Sequence, residues 1–180
     1  MTLSRRTMIL SALAGSVVSP ALARAEVPAM SFPSIDGGMI DLADLRGNPV
    51  LVVNTASRCG FTPQYDGLQA LHDTYSARGL VVLTVPSNSF NQELASEAEV
   101  AEFCELNYNL TVPMTEITPV RGPQAHPFYR WLNDVHGVAP RWNFTKVLLD
   151  ANGQYVAHFG STTRPTAPVL TRQIEALLAS

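Results

Sequence analysis

Cysteine is scarce in this chain, which has two cysteines, Cys59 and Cys104, among 180 residues. Two thiols are too few for a scaffold built on disulfides. The hydrophobic residues, 46% of the sequence, are enough to build a core without such a scaffold. Each thiol therefore calls for an explanation of its own, since idle exposed thiols are disfavoured in an oxidising compartment.

Long apolar runs are also missing. Residues 8–18 form an apolar stretch about half as long as the roughly 20 residues that a helix needs to cross a bilayer, so a permanent membrane anchor is not expected. This stretch follows Arg5-Arg6 and precedes A-x-A segments at residues 21–23 and 23–25, in the order of an export signal resembling a twin-arginine leader. We predict a signal peptide over residues 1–25, cleaved after Ala23 or Ala25, one domain over residues 26–180, and a periplasmic or secreted protein.

Runs of positive charge are absent from the predicted mature chain. Removal of residues 1–25 leaves 9 Lys and Arg against 15 Asp and Glu, a net charge of −6. A chain without a basic cluster offers no electrostatic footprint for nucleic acid or for an anionic membrane surface. Neither partner is expected.

The hydrophobic pattern predicts the order β-β-β-α-β-α-α-β-β-α. Asp36-Gly37-Gly38 and Asn152-Gly153 mark two hairpin turns, and Ser96 with Glu99 forms a capping box. The predicted strands cover residues 31–35, 39–42, 50–54, 80–85, 144–149 and 155–159, and the predicted helices cover about residues 63–77, 96–107, 126–135 and 164–178. The continuous apolar runs before and after the predicted helix at 63–77 indicate two buried strands, and hence a parallel β-α-β unit. The fold class is therefore α/β, a central mixed sheet flanked by helices with an N-terminal β-hairpin, resembling the thioredoxin fold.

Cys59 follows a buried strand, in the region where the reactive groups of such sheets collect. It precedes a predicted helix with Thr62 as the N-cap, and the positive end of a helix dipole favours a thiolate. Buried cysteines commonly act as small hydrophobic residues, but the neighbours Ser57, Arg58 and Gly60 are not core residues. A reactive cysteine is the better interpretation.

Three kinds of thiol chemistry are excluded by the neighbours of Cys59. A disulfide oxidoreductase of the CxxC type needs a second sulfur at the position of Thr62. A copper-delivery domain needs a close second cysteine, which is absent. A peroxiredoxin has the pattern P-x-x-x-[TS]-x-x-C, but Val52 and Ala56 stand at its Pro and Thr/Ser positions.

Several segments resemble the glutathione peroxidase family. They are NTASRCGFT at residues 54–62, P-x-N-x-F at 86–90, QE at 92–93, HPF at 126–128, WNFTK at 142–146 and F-x-x-T-x-R-P at 159–165. The similarity runs from about residue 32 to residue 178, and the two longest motifs are specific. The chain is thus identified as a cysteine-containing bacterial member carrying a twin-arginine-like leader. The segment at residues 90–93 is one residue shorter than the common family pattern, so this loop is expected to take a different path.

The resemblance implies that this is a peroxidase reducing hydrogen peroxide and organic or lipid hydroperoxides to water or alcohols. Cys59 holds the position of the attacking Cys or selenocysteine, which becomes a sulfenic or selenenic acid. The Gln, indole and Asn that assist it in the family map to Gln92, Trp142 and Asn143. Neutral donors of this kind stabilise a thiolate and the departing oxygen.

The sulfenic acid is re-reduced in the family either by glutathione or through a second cysteine that thioredoxin then reduces. Cys104 is the one candidate for such a resolving cysteine, but it falls on the apolar face of its predicted helix, so a core role is equally open. No bound cofactor is expected; glutathione or a thioredoxin-like protein is the reducing cosubstrate. The four histidines share no ligand spacing, so no metal site is predicted: His72, His126, His136 and His158.

The short segment between Asp134 and Trp142 lacks the long insertion that helps tetrameric family members to build subunit contacts. The resemblance therefore implies a monomer with an open site. Two other functions remain: a peroxide-sensing relay that passes oxidation of Cys59 to a partner protein, and an inert binding module on the same fold.

Overall fold

The computed structural model describes residues 28–179 of the chain. Six strands and four α-helices follow one another in the predicted order. They are β1 (Ser31–Pro33), β2 (Met39–Asp41), β3 (Val50–Thr55), α1 (Gln64–Tyr75), β4 (Val81–Pro86), α2 (Glu97–Tyr108), α3 (Pro127–His136), β5 (Lys146–Leu149), β6 (Tyr155–Phe159) and α4 (Pro168–Leu178). A short 3₁₀ turn, Ser76–Arg78, extends α1 and ends at Gly79, whose φ is +103°. The predicted signal peptide lies outside the described residues.

The central sheet has the strand order β4-β3-β5-β6. Strand β3 pairs in parallel with β4 and antiparallel with β5, and β5 pairs antiparallel with β6. All six residues of β3 are buried, as expected for a strand covered on both faces. Strands β1 and β2 form a separate antiparallel pair. The predicted mixed sheet, β-α-β unit and N-terminal hairpin are therefore confirmed.

Alternate residues of β3 face two separate hydrophobic cores, because successive side chains of a strand point to opposite faces. Leu51 and Val53 belong to the core that α1, α2 and α4 cover. Val52 belongs to the core covered by α3 and the β1–β2 pair. Helices on both faces of one mixed sheet confirm the thioredoxin-like α/β fold.

Several predicted boundaries differ from the observed ones. Thr62 is not an N-cap: Pro63 occupies that position of α1, without a side-chain hydrogen bond, because the Thr62 hydroxyl is engaged within the preceding loop. Helix α4 begins at Pro168, after the Arg164-Pro165 pair. Strand β5 begins at Lys146, since Phe144 has a φ of +60° that no strand residue adopts. Within residues 28–179, no helix is both long enough and apolar enough to span a bilayer.

Lys146 is the single lysine of the sequence and is fully buried at the start of β5. Its ammonium group donates hydrogen bonds to Gln64 Oε1 on α1 and, at 2.7 Å, to the carbonyl oxygen of Thr163. Burial lowers the pKa of Lys146 to about 7 because the low-dielectric interior disfavours the charged form. One buried amine thus connects the sheet, the first helix and the segment before α4.

We predict that the Lys146 amine titrates near neutral pH in the folded protein. The protein has no other lysine, so a sample labelled with ¹³C-lysine reports this amine alone by NMR. The expected midpoint is near 7, against about 10.4 for an unfolded lysine. Between these values the unfolded state binds more protons, so the stability of the wild type should gain up to about 1.4 kcal/mol per pH unit from this group as the pH rises.

Denaturant unfolding at pH 6 and pH 9 checks the second part of this prediction. In Lys146→Met the free energy of unfolding should not rise between pH 6 and pH 9 through this group. The difference in stability between wild type and variant should therefore grow with pH. Lys146→Arg is the matched control, because a guanidinium remains charged throughout this range. A lysine midpoint above 9, or a difference that does not change with pH, would contradict the prediction.

Candidate active site

Cys59 lies in the loop that leaves the carboxyl end of β3. It is 7% exposed, so its sulfur lies just below the surface. The sulfur accepts a hydrogen bond at 3.5 Å from the N–H of Phe61, two residues further along. Helix α1 begins only at Gln64, so backbone N–H groups of the loop, rather than the first turn of a helix, provide the local donors.

Thr62 stabilises this loop from within. Its Oγ1 accepts a hydrogen bond at 3.0 Å from the N–H of Cys59. The same hydroxyl lies 2.8 Å from the carbonyl oxygen of Ala56 and 2.7 Å from that of Cys59, to either of which it can donate. Because Thr62 is 5% exposed, these bonds form away from solvent and hold the Cys59 backbone in one conformation.

A second loop, between β4 and α2, is bonded to the loop that carries Cys59. The carboxylate of Glu93 accepts hydrogen bonds from the N–H of Ser57 at 3.0 Å and from its neighbour Leu94 at 2.9 Å. The carbonyl oxygen of Gln92 accepts a bond from the N–H of Arg58 at 2.9 Å. These bonds hold the two residues before Cys59 and place Gln92 beside the loop that carries it.

Glu93 was missed as a site residue by the sequence analysis, although it belongs to the Gln-Glu pair of the family motif. The structure shows why it is needed: a 6% exposed carboxylate connects two loops that are 36 residues apart in sequence. Burial raises the pKa of Glu93, while hydrogen bonds from Ser57 and Leu94 oppose that shift. Its position beside Gln92 was the available signal, but a carboxylate in a polar loop is usually exposed.

The shortened loop brings Gln92 to Asn143. Asn91 has a φ of +57°, and its N–H donates to the carbonyl oxygen of Asn88, so the chain turns tightly just before Gln92. Asn143 Nδ2 then donates a hydrogen bond at 3.0 Å to Gln92 Oε1. Because this acceptor oxygen is occupied by Asn143, the amide nitrogen of Gln92 is the end that remains as a donor.

Trp142 stands at the edge of the same site. The residue is 40% exposed, and its ring lies 5.2 Å, centre to centre, from the ring of Phe90 in the Gln92 loop. The carbonyl oxygen of Trp142 accepts bonds from Asn54 Nδ2 at 3.2 Å and from Thr145 Oγ1 at 3.0 Å. The end of β3 therefore positions the segment that carries both Trp142 and Asn143.

The structure thus brings Gln92, Trp142 and Asn143 together and bonds the Gln92 backbone to the Cys59 loop. The hydrogen bond described for the sulfur comes from Phe61 N–H rather than from one of these three side chains. Donation from the three side chains to the sulfur or to the departing oxygen remains a prediction.

Cys104 lies on α2 and is 2% exposed. It belongs to the same hydrophobic core as Cys59. Burial and the negative charge of Glu93 raise the pKa of Cys104 to about 11, although a hydrogen bond with Tyr65 opposes the shift. In this conformation Cys104 is a protonated core thiol, and a resolving role would require it to leave the core.

A cavity of about 520 Å³ opens beside the Cys59 loop. Gly60, Phe61 and Gln64 line one side, and Arg164 and Pro165 line the other. The volume is enough for a small molecule, and the cavity borders the residues that directly follow Cys59. Within residues 28–179, no three His, Cys, Asp or Glu side chains are grouped so that they could hold a metal ion.

Comparison with known proteins gives one consistent result. The family model described as glutathione peroxidase matches residues 28–133. A glutathione peroxidase of Lactococcus lactis is 43% identical over 140 residues, which are 75% of this chain and 89% of the relative. A hydroperoxy fatty acid reductase of Synechocystis is 42% identical over 159 residues, 82% of this chain and 93% of the relative.

A solved structure described as the crystal structure of Trgpx in apo form is also similar, with a TM-score of 0.67 and 28% sequence identity. The similarity covers 86% of this chain and 98% of that chain. The matched family model spans more than half of the sequence, and its residues include the loops of Cys59 and Gln92. The chain therefore belongs to the glutathione peroxidase family and is a peroxide-reducing thiol peroxidase.

Proposed function

We propose that Cys59 is the peroxidatic nucleophile and that it reduces hydrogen peroxide and organic or lipid hydroperoxides. Its thiolate attacks the terminal peroxide oxygen, the O–O bond breaks, and the remaining oxygen takes up a proton to leave as water or an alcohol. Cys59 is thereby oxidised to a sulfenic acid. The observation that carries this proposal is the near-surface Cys59, whose two preceding residues, Ser57 and Arg58, donate backbone hydrogen bonds to Glu93 and Gln92.

Gln92, Trp142 and Asn143 are proposed as donors to the reacting atoms. The hydrogen bond between the Gln92 and Asn143 amides supports this assignment, since it preorganises two polar groups before the peroxide arrives. Donors held in place in this way need no rearrangement when negative charge develops on the departing oxygen. Trp142 contributes an exposed indole at the open side of the site.

The sulfenic acid is proposed to react directly with an external thiol, either glutathione or a thioredoxin-like protein. The first thiol displaces water and forms a mixed disulfide with Cys59, and a second thiol releases Cys59 and leaves the reductant as a disulfide. Direct reduction is favoured over resolution by Cys104, because the latter thiol is buried and its pKa is raised to about 11. Glutathione is small enough to enter the cavity beside Gly60 and Phe61, whereas a thioredoxin-like protein would dock over its opening.

Export completes the proposed function. Residues 1–25 are proposed as a twin-arginine-like signal that delivers the domain at 26–180 to the periplasm or beyond, where it acts in the response to oxidative stress as a monomer. The order of paired arginines, apolar stretch and A-x-A segments in residues 1–25 supports the export signal. Sequencing the N-terminus of the exported protein and measuring its mass by light scattering would test both statements.

Replacement of Cys59 by Ser should abolish turnover. A serine hydroxyl is far less nucleophilic than a thiolate, so the steady-state rate of hydroperoxide reduction should fall by at least about 10³-fold. The circular dichroism spectrum should not change. Unchanged turnover would refute the assignment. Reaction of wild type with one equivalent of peroxide, followed by no recovery with any thiol, would instead favour a sensing relay.

Replacement of Cys104 should leave turnover nearly intact. Rates of Cys104→Ser and Cys104→Ala with saturating glutathione or thioredoxin should stay within about threefold of wild type, because direct reduction uses no second cysteine of the chain. If only the thioredoxin-supported rate collapsed in both variants, Cys104 would be a resolving cysteine and the direct route would be wrong.

Gln92 and Asn143 should act as a unit. Gln92→Ala and Asn143→Ala should each lower kcat/KM for hydrogen peroxide by about ten- to a hundredfold, through loss of a preorganised donor. The double variant should lose much less than the product of the two, because each single change already breaks the hydrogen bond between them. Multiplicative losses would show that the two amides work independently.

A further inference from the structure

The peptide unit between Asn143 and Phe144 is hydrogen-bonded through both of its polar groups. The carbonyl oxygen of Asn143 accepts a bond at 2.6 Å from Ser161 Oγ. The N–H of Phe144 donates at 2.6 Å to the carbonyl oxygen of Asn54 in β3. Asn143 and Phe144 are both fully buried, so bulk water does not compete for these bonds. The peptide unit is thereby held from β3 on one side and from the segment after β6 on the other.

A strained residue follows this peptide bond. Phe144 has a φ of +60°, a left-handed conformation that is unfavourable for a residue with a side chain. Such a conformation persists only where surrounding contacts hold it, and it is most frequent at functional sites. The turn separates Lys146, the first residue of β5, from Asn143, whose side chain bonds to Gln92 at 3.0 Å. The contacts that hold the turn therefore also set the direction of the Asn143 amide.

Ser161 provides a hydrogen-bond donor at the point where the pairing of β5 with β6 ends. The last paired residues at this end are Lys146 and Phe159. Phe144 leaves the extended conformation, so regular backbone pairing does not continue beyond them. The Ser161 hydroxyl then donates to the Asn143 carbonyl oxygen, which would otherwise be a buried acceptor without its strand partner. A side chain thus takes the place of a backbone donor beside the active site.

Ser161 is itself held in place by Gln64. Gln64 Nε2 donates at 2.6 Å to the carbonyl oxygen of Ser161, and Gln64 Oε1 accepts a bond from the Lys146 amine. Lys146 also donates at 2.7 Å to the carbonyl oxygen of Thr163, two residues after Ser161. Because both ends of the Gln64 amide have partners, its orientation is determined. Hydrogen bonds therefore run without a break from the buried amine to the backbone of Asn143.

We propose that Ser161 and Gln64 are positioning residues for the reduction of peroxide. They act through Asn143: they hold its peptide unit so that its side-chain amide is aligned with Gln92 before the peroxide arrives. A donor aligned in advance needs no rearrangement when charge develops on the reacting atoms. The inference rests on the proposed function of Asn143 as a donor. Gln64 lies outside the segments that resemble the family, and Ser161 stands at an unspecified position of the last one.

The test measures the oxidation of Cys59 alone, so that no reductant contributes to the rate. The reduced enzyme is mixed rapidly with hydrogen peroxide, the remaining thiol is trapped with N-ethylmaleimide, and labelled Cys59 is quantified by mass spectrometry. In Ser161→Ala the second-order rate constant should fall about three- to tenfold, the range expected for the loss of one hydrogen bond between neutral groups. Ser161→Thr keeps the hydroxyl and should recover most of this loss. Ser76→Ala, the same change at an exposed position after α1, is the control and should leave the rate constant unchanged.

Repeating the Ser161→Ala change in an Asn143→Ala background separates positioning from structural support. Alanine at 143 keeps the backbone carbonyl that accepts from Ser161, so the melting temperature should fall to a similar extent in both backgrounds. The rate constant should fall by less than about 1.5-fold in the Asn143→Ala background, because the amide to be aligned is gone. Gln64→Met, which removes both bonds of the Gln64 amide, should show the same dependence on Asn143. A residue that only stabilised the fold would slow both backgrounds equally.

Two results would overturn the inference. The first is a rate constant for Ser161→Ala within about 1.5-fold of wild type, which would mean that the bond to Asn143 has no part in the reaction. The second is an equal fall in both backgrounds, which would show that Ser161 does not act through the Asn143 amide. Failure of hydrogen peroxide to oxidise Cys59 of the wild type would refute the proposed function itself. Rapid oxidation of the wild type and of Ser161→Ala alike would refute only this inference.

Discussion

The active site depends on one buried group, the Glu93 carboxylate, which accepts hydrogen bonds from the backbone N–H groups of Ser57 and Leu94. The loops after β3 and β4 leave neighbouring parallel strands, so they emerge at the same edge of the sheet. Nearness alone does not orient Cys59. The carboxylate, together with the hydrogen bond from the Arg58 N–H to the Gln92 carbonyl oxygen, fixes the position of one loop relative to the other. Catalytic geometry follows from this connection, because side chains can be preorganised only on backbone that does not move.

A second set of bonds reaches the site from the opposite side. Lys146 donates to Gln64, and Gln64 Nε2 donates at 2.6 Å to the carbonyl oxygen of Ser161. Ser161 Oγ in turn donates at 2.6 Å to the carbonyl oxygen of Asn143, whose side chain bonds to Gln92. A buried amine is costly, so a fold keeps one only where its hydrogen bonds are satisfied. Here those bonds hold the backbone of Asn143, while Glu93, the neighbour of Gln92, is held by Ser57.

The two cysteines illustrate how environment separates chemically identical groups. Cys59 lies just below the surface beside the N–H of Phe61, and the residues that follow it line a cavity. Cys104 packs in the core, where burial and the Glu93 charge keep it protonated. Glu93 thus has two effects, since it supports the loop of one thiol and opposes ionisation of the other. In the proposed direct route, Cys59 is the reacting thiol and the reductant comes from outside the chain.

The sequence by itself determined the order of strands and helices, the family, and the position of Cys59 at the end of β3. Local periodicity and short motifs carry that information, because they concern residues close together in the chain. The capping box at Ser96 and the hairpin at Gly153 were predictable for the same reason. The start of β5 was not, since the left-handed turn at Phe144 has no glycine to announce it.

Only the tertiary structure decided how the site is held together. The bond between Ser57 and Glu93 joins residues 36 positions apart, that between Gln92 and Asn143 spans 51, and that between Gln64 and Lys146 spans 82. No local pattern encodes which distant polar groups meet. The outcome depends on how the sheet and helices pack, and the same packing buries Cys104 in the core.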